Sequence, residues 1–211
     1  MGERIEELAA RAELDPAGVL TETTWLGEAI DSDALAGRFD RWGWSTVIDE
    51  HVGGAVISPA LYHSLHARAN LQAHWPIGNA GLLHVYGYLL STVPTPYGLK
   101  RQRWLDGTLA GAYGLAADAF VPWVSPRSLL ERVTEAVDEL RISSTVREAM
   151  VGGATTSLAL GRHFEQGAWA LAYVVDGRLV TTFPVDSREN VLAEWDAEAP
   201  RLRWNAVEPP E

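Results

Sequence analysis

The sequence predicts an α+β fold: an antiparallel β-sheet of at least four strands packed with flanking α-helices, a single domain with a helical N-terminal region. Three observations lead there. The run WALAYVVDGRLVTTFPV sets two β-rich segments around Asp176–Gly177, the pair preferred in a type I′ hairpin turn. Segments of helical period flank strand-like runs joined mainly by short turns, with no βαβ alternation. There is no glycine phosphate loop, since neither Lys-Ser nor Lys-Thr follows GNAG at 78–81. With 211 residues, 47% of them hydrophobic and 21% charged, the chain can bury a core of its own. Residues 1–43 are expected to form a helical segment packed on an α+β core spanning 44–208.

Residues 2–12 read as a short amphipathic helix with a Glu-rich first turn, ended by LDP. Thr21 to Trp44 reads as one or two further helices, with a break and cap at Asp31–Asp33. WSTVIDEHV, 44–52, is rich in β-branched residues and is assigned as a strand ending at Gly53–Gly54. Ser58 is an N-cap and Pro59 a first helical residue, while Pro76 disfavours helix at Trp75, so a helix is expected over 59–74. After the turn cluster Gly78, Asn79 and Gly81, LLHVYGYLLSTV reads as a long strand. PTPYG is a turn. LKRQRWLDGTLAGAYGL then reads as two short strands around Asp106–Gly107.

Ser125–Pro126 repeats the cap signature ahead of an amphipathic helix carrying Leu129, Leu130, Val133, Ala136, Val137 and Leu140. SSTVREAM is expected to form a shorter helix, and Gly152–Gly153 a turn. TTSLALGRHF, 155–164, is left unassigned. RENVLAEWDAEA, 188–199, reads as a helix and PRLRWNAV as a final strand or extended tail.

The stretch from Ser58 to Leu105 concentrates the chemistry: four of the six His, four of the six Tyr and the only Lys. On the 59–74 helix, His63, His66, Asn70 and His74 form one stripe. His63 and His74 stand roughly 16 Å apart along the axis and cannot share an ion. Only His63 and His66 could co-ligate, so neither metal nor cofactor is expected. On the expected strand, alternation puts His84, Tyr86 and Tyr88 on one face, a half-polar pocket wall or an ordinary core edge. Lys100, Arg101 and Arg103 form a compact basic run beside Trp104, fit to bind a carboxylate or phosphate or simply to balance charge.

The formal net charge of -11 disfavours a protein built to grip nucleic acid. No run approaches the length of a membrane helix. The acidic opening MGERIEEL is no secretory signal, and a cytoplasmic protein is expected. Three functions follow. The first is a small-molecule biosynthetic enzyme doing metal-independent acid–base chemistry as a lyase, isomerase, cyclase or hydrolase. Its catalytic candidates are His84, His66, His63 and Tyr86; Tyr88, Asn70, His74, Lys100, Arg101, Arg103 and Trp104 would hold a small anionic substrate. Lys100 is also a possible Schiff-base nucleophile. The second is a non-catalytic ligand-binding domain or acidic partner protein. The third is a metal-free RNase-like domain using His163, Arg178, Thr181 and Thr182. Oligomeric state stays open, a homodimer included.

Overall fold

The computed structural model describes residues 2–165 and 167–197. Helix α1 (Gly2–Leu14) buries Ile5, Ala9 and Ala12 at helical spacing. Asp15 caps α2 (Pro16–Glu22), its carboxylate accepting from the Gly18 amide at 2.9 Å while Pro16 opens the helix. Helix α3 (Thr24–Leu35) runs unbroken through Asp31–Asp33, where a break was expected. Neither side chain caps a backbone there: Asp31 pairs with Arg68 at 2.6 and 3.0 Å, and Asp33 is buried among other donors. The chain turns later, at Gly37 with φ 65°, before a 3-10 turn at Arg38–Arg41.

The expected 44–52 strand divides into β1 (Trp44–Thr46) and β2 (Ile48–Asp49), the latter pairing with β3 (Gly54–Ala55). Helix α4 (Pro59–Arg68) starts as predicted, the Ser58 hydroxyl accepting from the Leu61 amide. It stops at Arg68 rather than 74, because Asn70 adopts φ 52°, a left-handed conformation no α-helix continues through. Strand β4 (Ile77–Asn79) then pairs antiparallel with β1.

The next segment corrects the sequence reading most. Residues 82–90 are not a strand but a π-helix, Leu82–Gly87, continuing as α5 (Tyr88–Leu90). Every residue from Ala80 to Ser91 is buried, so no polar face marks the period and alternation is uninformative. Asn79 opens this helix, its side-chain oxygen accepting from the Leu82 amide at 3.1 Å while its amide donates to the Phe39 carbonyl. Likewise α6 (Gln102–Leu105) and α7 (Thr108–Ala112) replace the two short strands expected after residue 99. Asp106 ends α6 and its carboxylate accepts from the Thr108 amide at 2.8 Å, while Gly107 at φ 78° is the N-cap of α7, so the Asp-Gly pair joins two helices instead of a hairpin.

Helix α8 (Leu129–Ser143) buries the six apolar residues anticipated, but its cap is Ser128, not Ser125; the Ser128 hydroxyl accepts from the Glu131 amide at 3.0 Å. The 143–150 segment is mostly strand rather than helix, because seven residues of β5 (Thr145–Val151) pair with β6 (Ala154–Gly161). With β7 (Trp169–Val175) and β8 (Arg178–Val185) they form an antiparallel meander in sequence order. The predicted hairpin is present, with φ 47° at Asp176 and 77° at Gly177, the two left-handed residues of a type I′ turn.

Both faces of the sheet are buried. Ala159, Ala170, Ala172, Val174 and Leu179 join the cluster formed by the helices, their small side chains admitting α8 closely. Leu158, Leu160, Leu171, Tyr173 and Val180 meet Val191 and Trp195 of α9 (Arg188–Ala197) on the other side. At about 1.5–3 kcal/mol per large buried side chain, these two layers are the main stabilising contribution of the sheet. The antiparallel α+β class is as predicted. The expected strand or tail at 200–207 and the end of the 188–199 helix lie outside the described residues.

Candidate functional site

Where β1, β2, the π-helix and the α6 turn meet, polar side chains gather against the edge strand β8. His84, 3% exposed, is hydrogen-bonded through Nε2 to the Ser45 hydroxyl at 2.9 Å. Its ring stacks on Tyr88, centroids 4.8 Å apart and planes 24° from parallel. Over the same Tyr88 ring lie Lys100 Nζ at 5.4 Å and the Arg103 guanidinium at 5.6 Å. Lys100 is ion-paired with Asp49, Nζ to Oδ2 2.6 Å. The other Asp49 oxygen accepts from the amides of His51 and Val52, so the β2–β3 turn presents this carboxylate. Half-buried Arg103 donates weakly to the Thr182 carbonyl at 3.4 Å and lies 6.0 Å from the Phe183 ring. Among the described residues no carboxylate comes within ion-pairing distance of it.

Burial sets the charge states. It drives the His84 imidazole down to about 3, helped by the positive charges of Arg103 and Lys100 and opposed by the Val180 backbone. Among the described residues His84 Nδ1 has no partner of ordinary hydrogen-bond geometry, so the Val180 influence is weak and the ring is neutral near pH 7. Burial also lowers the Lys100 ammonium, with Arg103 adding to the effect and Asp49 resisting it. For Asp49 burial would raise the carboxyl, but Lys100 and the two turn amides outweigh it and hold it below its ordinary value. The Arg103 guanidinium is lowered by burial, against the pull of Tyr88 and Asp49.

Of the residues singled out from sequence, the structure brings together His84, Tyr88, Lys100 and Arg103. The others lie apart. His66 is buried against Tyr62, bonded through Nδ1 to the Tyr62 carbonyl at 2.8 Å and accepting at Nε2 from the Asn79 amide at 3.3 Å. His63, Asn70 and His74 are exposed, His63 edge-on to Tyr62. Tyr86 is buried and donates to Asp33, which also accepts from Ser128 and Arg38. Arg101 is buried and donates to the Ser91 carbonyl at 2.6 Å. Trp104 packs on Phe120 in the core, its indole N–H without a hydrogen-bond partner among the described residues.

Ser45 and Asp49 were missed. No spacing in the sequence links either to residues some 40 or more positions later; only the isolated lysine hinted that an acid must answer it. His51, which lies beside Asp49 in sequence, stays 3.8 Å from it and packs edge-on to Tyr97.

A groove of about 620 Å³ is lined by Tyr113, Leu140, Ser143, Arg162, His163 and Trp169, among others. Thr182 joins groove and site, its hydroxyl hydrogen-bonded to the Tyr113 phenol at 2.6 Å and its carbonyl accepting from Arg103. Of the nuclease-like set, His163 packs on Gly114, Arg178 sits exposed beside the hairpin turn, and Thr181 and Thr182 are buried, adjacent along β8. Among the described residues no three His, Asp or Glu side chains converge as a metal-ligand set. No described helix is long and apolar enough to cross a membrane. No protein-family model matches the chain, and neither does any curated protein or solved structure. Function is therefore argued from the chemistry of the site.

Proposed function

We propose that the chain is a small-molecule enzyme whose substrate carries a carboxylate or phosphate, held at Arg103 and Lys100, with the Asp49–Lys100 pair moving protons. One observation carries this: two cations lie over a single buried tyrosine ring, and among the described residues Asp49 is the only carboxylate within ion-pairing distance of either. A bound anion would complete the balance, and the planar Arg103 fork suits bidentate recognition. His84 is too acidic as an imidazolium to serve near pH 7; it positions Tyr88 from below instead. Acid–base chemistry of this kind belongs to a lyase, isomerase, cyclase or hydrolase and uses no cofactor. A cytoplasmic, biosynthetic setting fits it, and the charge of -11 favours a small anion at this one cationic place over nucleic acid.

The test is thermal melting of the wild type and Arg103→Gln with acetate, pyruvate and phosphate, chloride serving as control. An anion at a hundredfold excess over its Kd stabilises the wild type by about 2.7 kcal/mol, or roughly 5–10 °C for a chain of this size. Arg103→Gln should lose most of that shift. Equal shifts in both proteins would refute the site. Binding without turnover of any substrate would make the chain a ligand-capturing domain instead.

A further inference from the structure

Lys100 is the only lysine in the chain, and its side chain is only 14% exposed. It is held between a nearly buried carboxylate, Asp49, and the face of Tyr88, with Arg103 over the same ring. Burial and a neighbouring cation are the two conditions that free a lysine amine for nucleophilic attack. An acid at hydrogen-bond distance adds the proton acceptor that the attack needs. A lysine serving only as a surface counter-ion would have neither the burial nor the second cation.

We propose that Lys100 condenses with the carbonyl of a 2-oxo acid whose carboxylate rests on Arg103. This deepens the anion-site assignment above and rests on it. Asp49 takes one proton from the ammonium, and the amine adds to the keto carbon to give a carbinolamine. Asp49 returns the proton to the departing hydroxyl, which leaves as water. The product is a protonated imine between Nζ and the former keto carbon. Ammonium and ketone together give iminium and water, so the step needs no oxidant or reductant. The iminium draws electrons from the neighbouring carbon, so the reactions within reach are proton exchange, decarboxylation or carbon–carbon bond cleavage beside it.

The probe is pyruvate with sodium borohydride, applied to the full chain near neutral pH, followed by peptide mass spectrometry. Borohydride delivers hydride to the imine and fixes a carboxyethyl group on the amine. The α-amino group is the internal comparison, since it is the chain's only other primary amine. The expected result is carboxyethylation of Lys100 ahead of the N-terminus by about tenfold or more. Arg103→Gln removes both the neighbouring cation and the carboxylate's partner, so labelling by acetone, which has no carboxylate, should fall, and labelling by pyruvate should fall about tenfold further. Asp49→Asn, which keeps the side chain's shape, should slow both, and a melting curve for each variant confirms that it is folded. Labelling confined to the N-terminus, or equal at both amines, would overturn the nucleophile. Labelling of Lys100 by pyruvate that falls no further than labelling by acetone in Arg103→Gln would overturn the 2-oxo acid. If pyruvate still stabilised the wild type and not Arg103→Gln while no imine was trapped, the anion site would stand and only this inference would fall.

Discussion

Acid should weaken this fold through His84 as pH falls from about 7 to about 5. In the unfolded chain the imidazole titrates at its ordinary value of 6.5, whereas in the fold burial first, then Arg103 and Lys100, push it to about 3. The unfolded state therefore takes up a proton below 6.5 that the folded state refuses until about 3. The stability from the neutral ring is fully present above 6.5 and is lost as pH falls through that window. Between about pH 7 and about pH 5 the unfolded imidazole goes from about a quarter to almost wholly protonated, which costs the fold about 2 kcal/mol. His66, also lowered by burial, adds to the wild-type slope, and Asp33, raised by burial, subtracts from it. The difference between wild type and His84→Gln isolates the one ring. Urea unfolding of both proteins at the two pH values is the assay, and the variant should lose about 2 kcal/mol less than the wild type. The same pH dependence in both would mean His84 is hydrated or already charged in the fold, and the account of the buried site would fail.

Other perturbations have definite outcomes. Gly114 has φ 72°, and a Cβ there would come within 2.2 Å of the His163 ring. Gly114→Ala should cost roughly 1–3 kcal/mol by thermal melting, and adding His163→Ala should recover the steric part but not the backbone strain. Tyr86→Phe and Ser128→Ala each remove a donor from buried Asp33 and should each cost roughly 1–3 kcal/mol in urea. Their double mutant should depart from additivity by at least about 0.5 kcal/mol because both serve one carboxylate. Simple additivity would mean the two bonds act independently.

Legibility from the sequence followed where polarity varied along the chain. Helix α8 and the 169–185 hairpin declare themselves because their exposed faces or turn residues mark the period. Leu82–Leu90 has no exposed face, so its hydrophobicity fits either element. The strand reading nevertheless paired His84 with Tyr88 correctly, since four residues separate neighbours on one helical face as well as on one strand face. It failed for Tyr86, two residues on, which a helix turns away toward Asp33. The basic run behaves alike: alternation would put Arg101 and Arg103 together, while the helical turn sets Lys100 beside Arg103 and sends Arg101 to Ser91. Asp49 depended on a contact spanning 51 positions, the count from 49 to 100, which no local pattern encodes. The β5 segment was decided by its partner strand rather than by its own propensity.

Asp33 lies in α3 yet secures the hydroxyl of Ser128, and the same hydroxyl accepts the first-turn amide of Glu131 in α8, the helix that lies on the sheet. Cutting the chain before Trp44 would leave Ser128 and Tyr86 without their acceptor. At roughly 1–3 kcal/mol per stranded buried group, that is a sizeable part of the 5–15 kcal/mol holding a typical domain together. The first forty-three residues are thus no detachable preface. A remainder beginning at Trp44 should lose its cooperative melting transition, and the N-terminal helices and the sheet should unfold together.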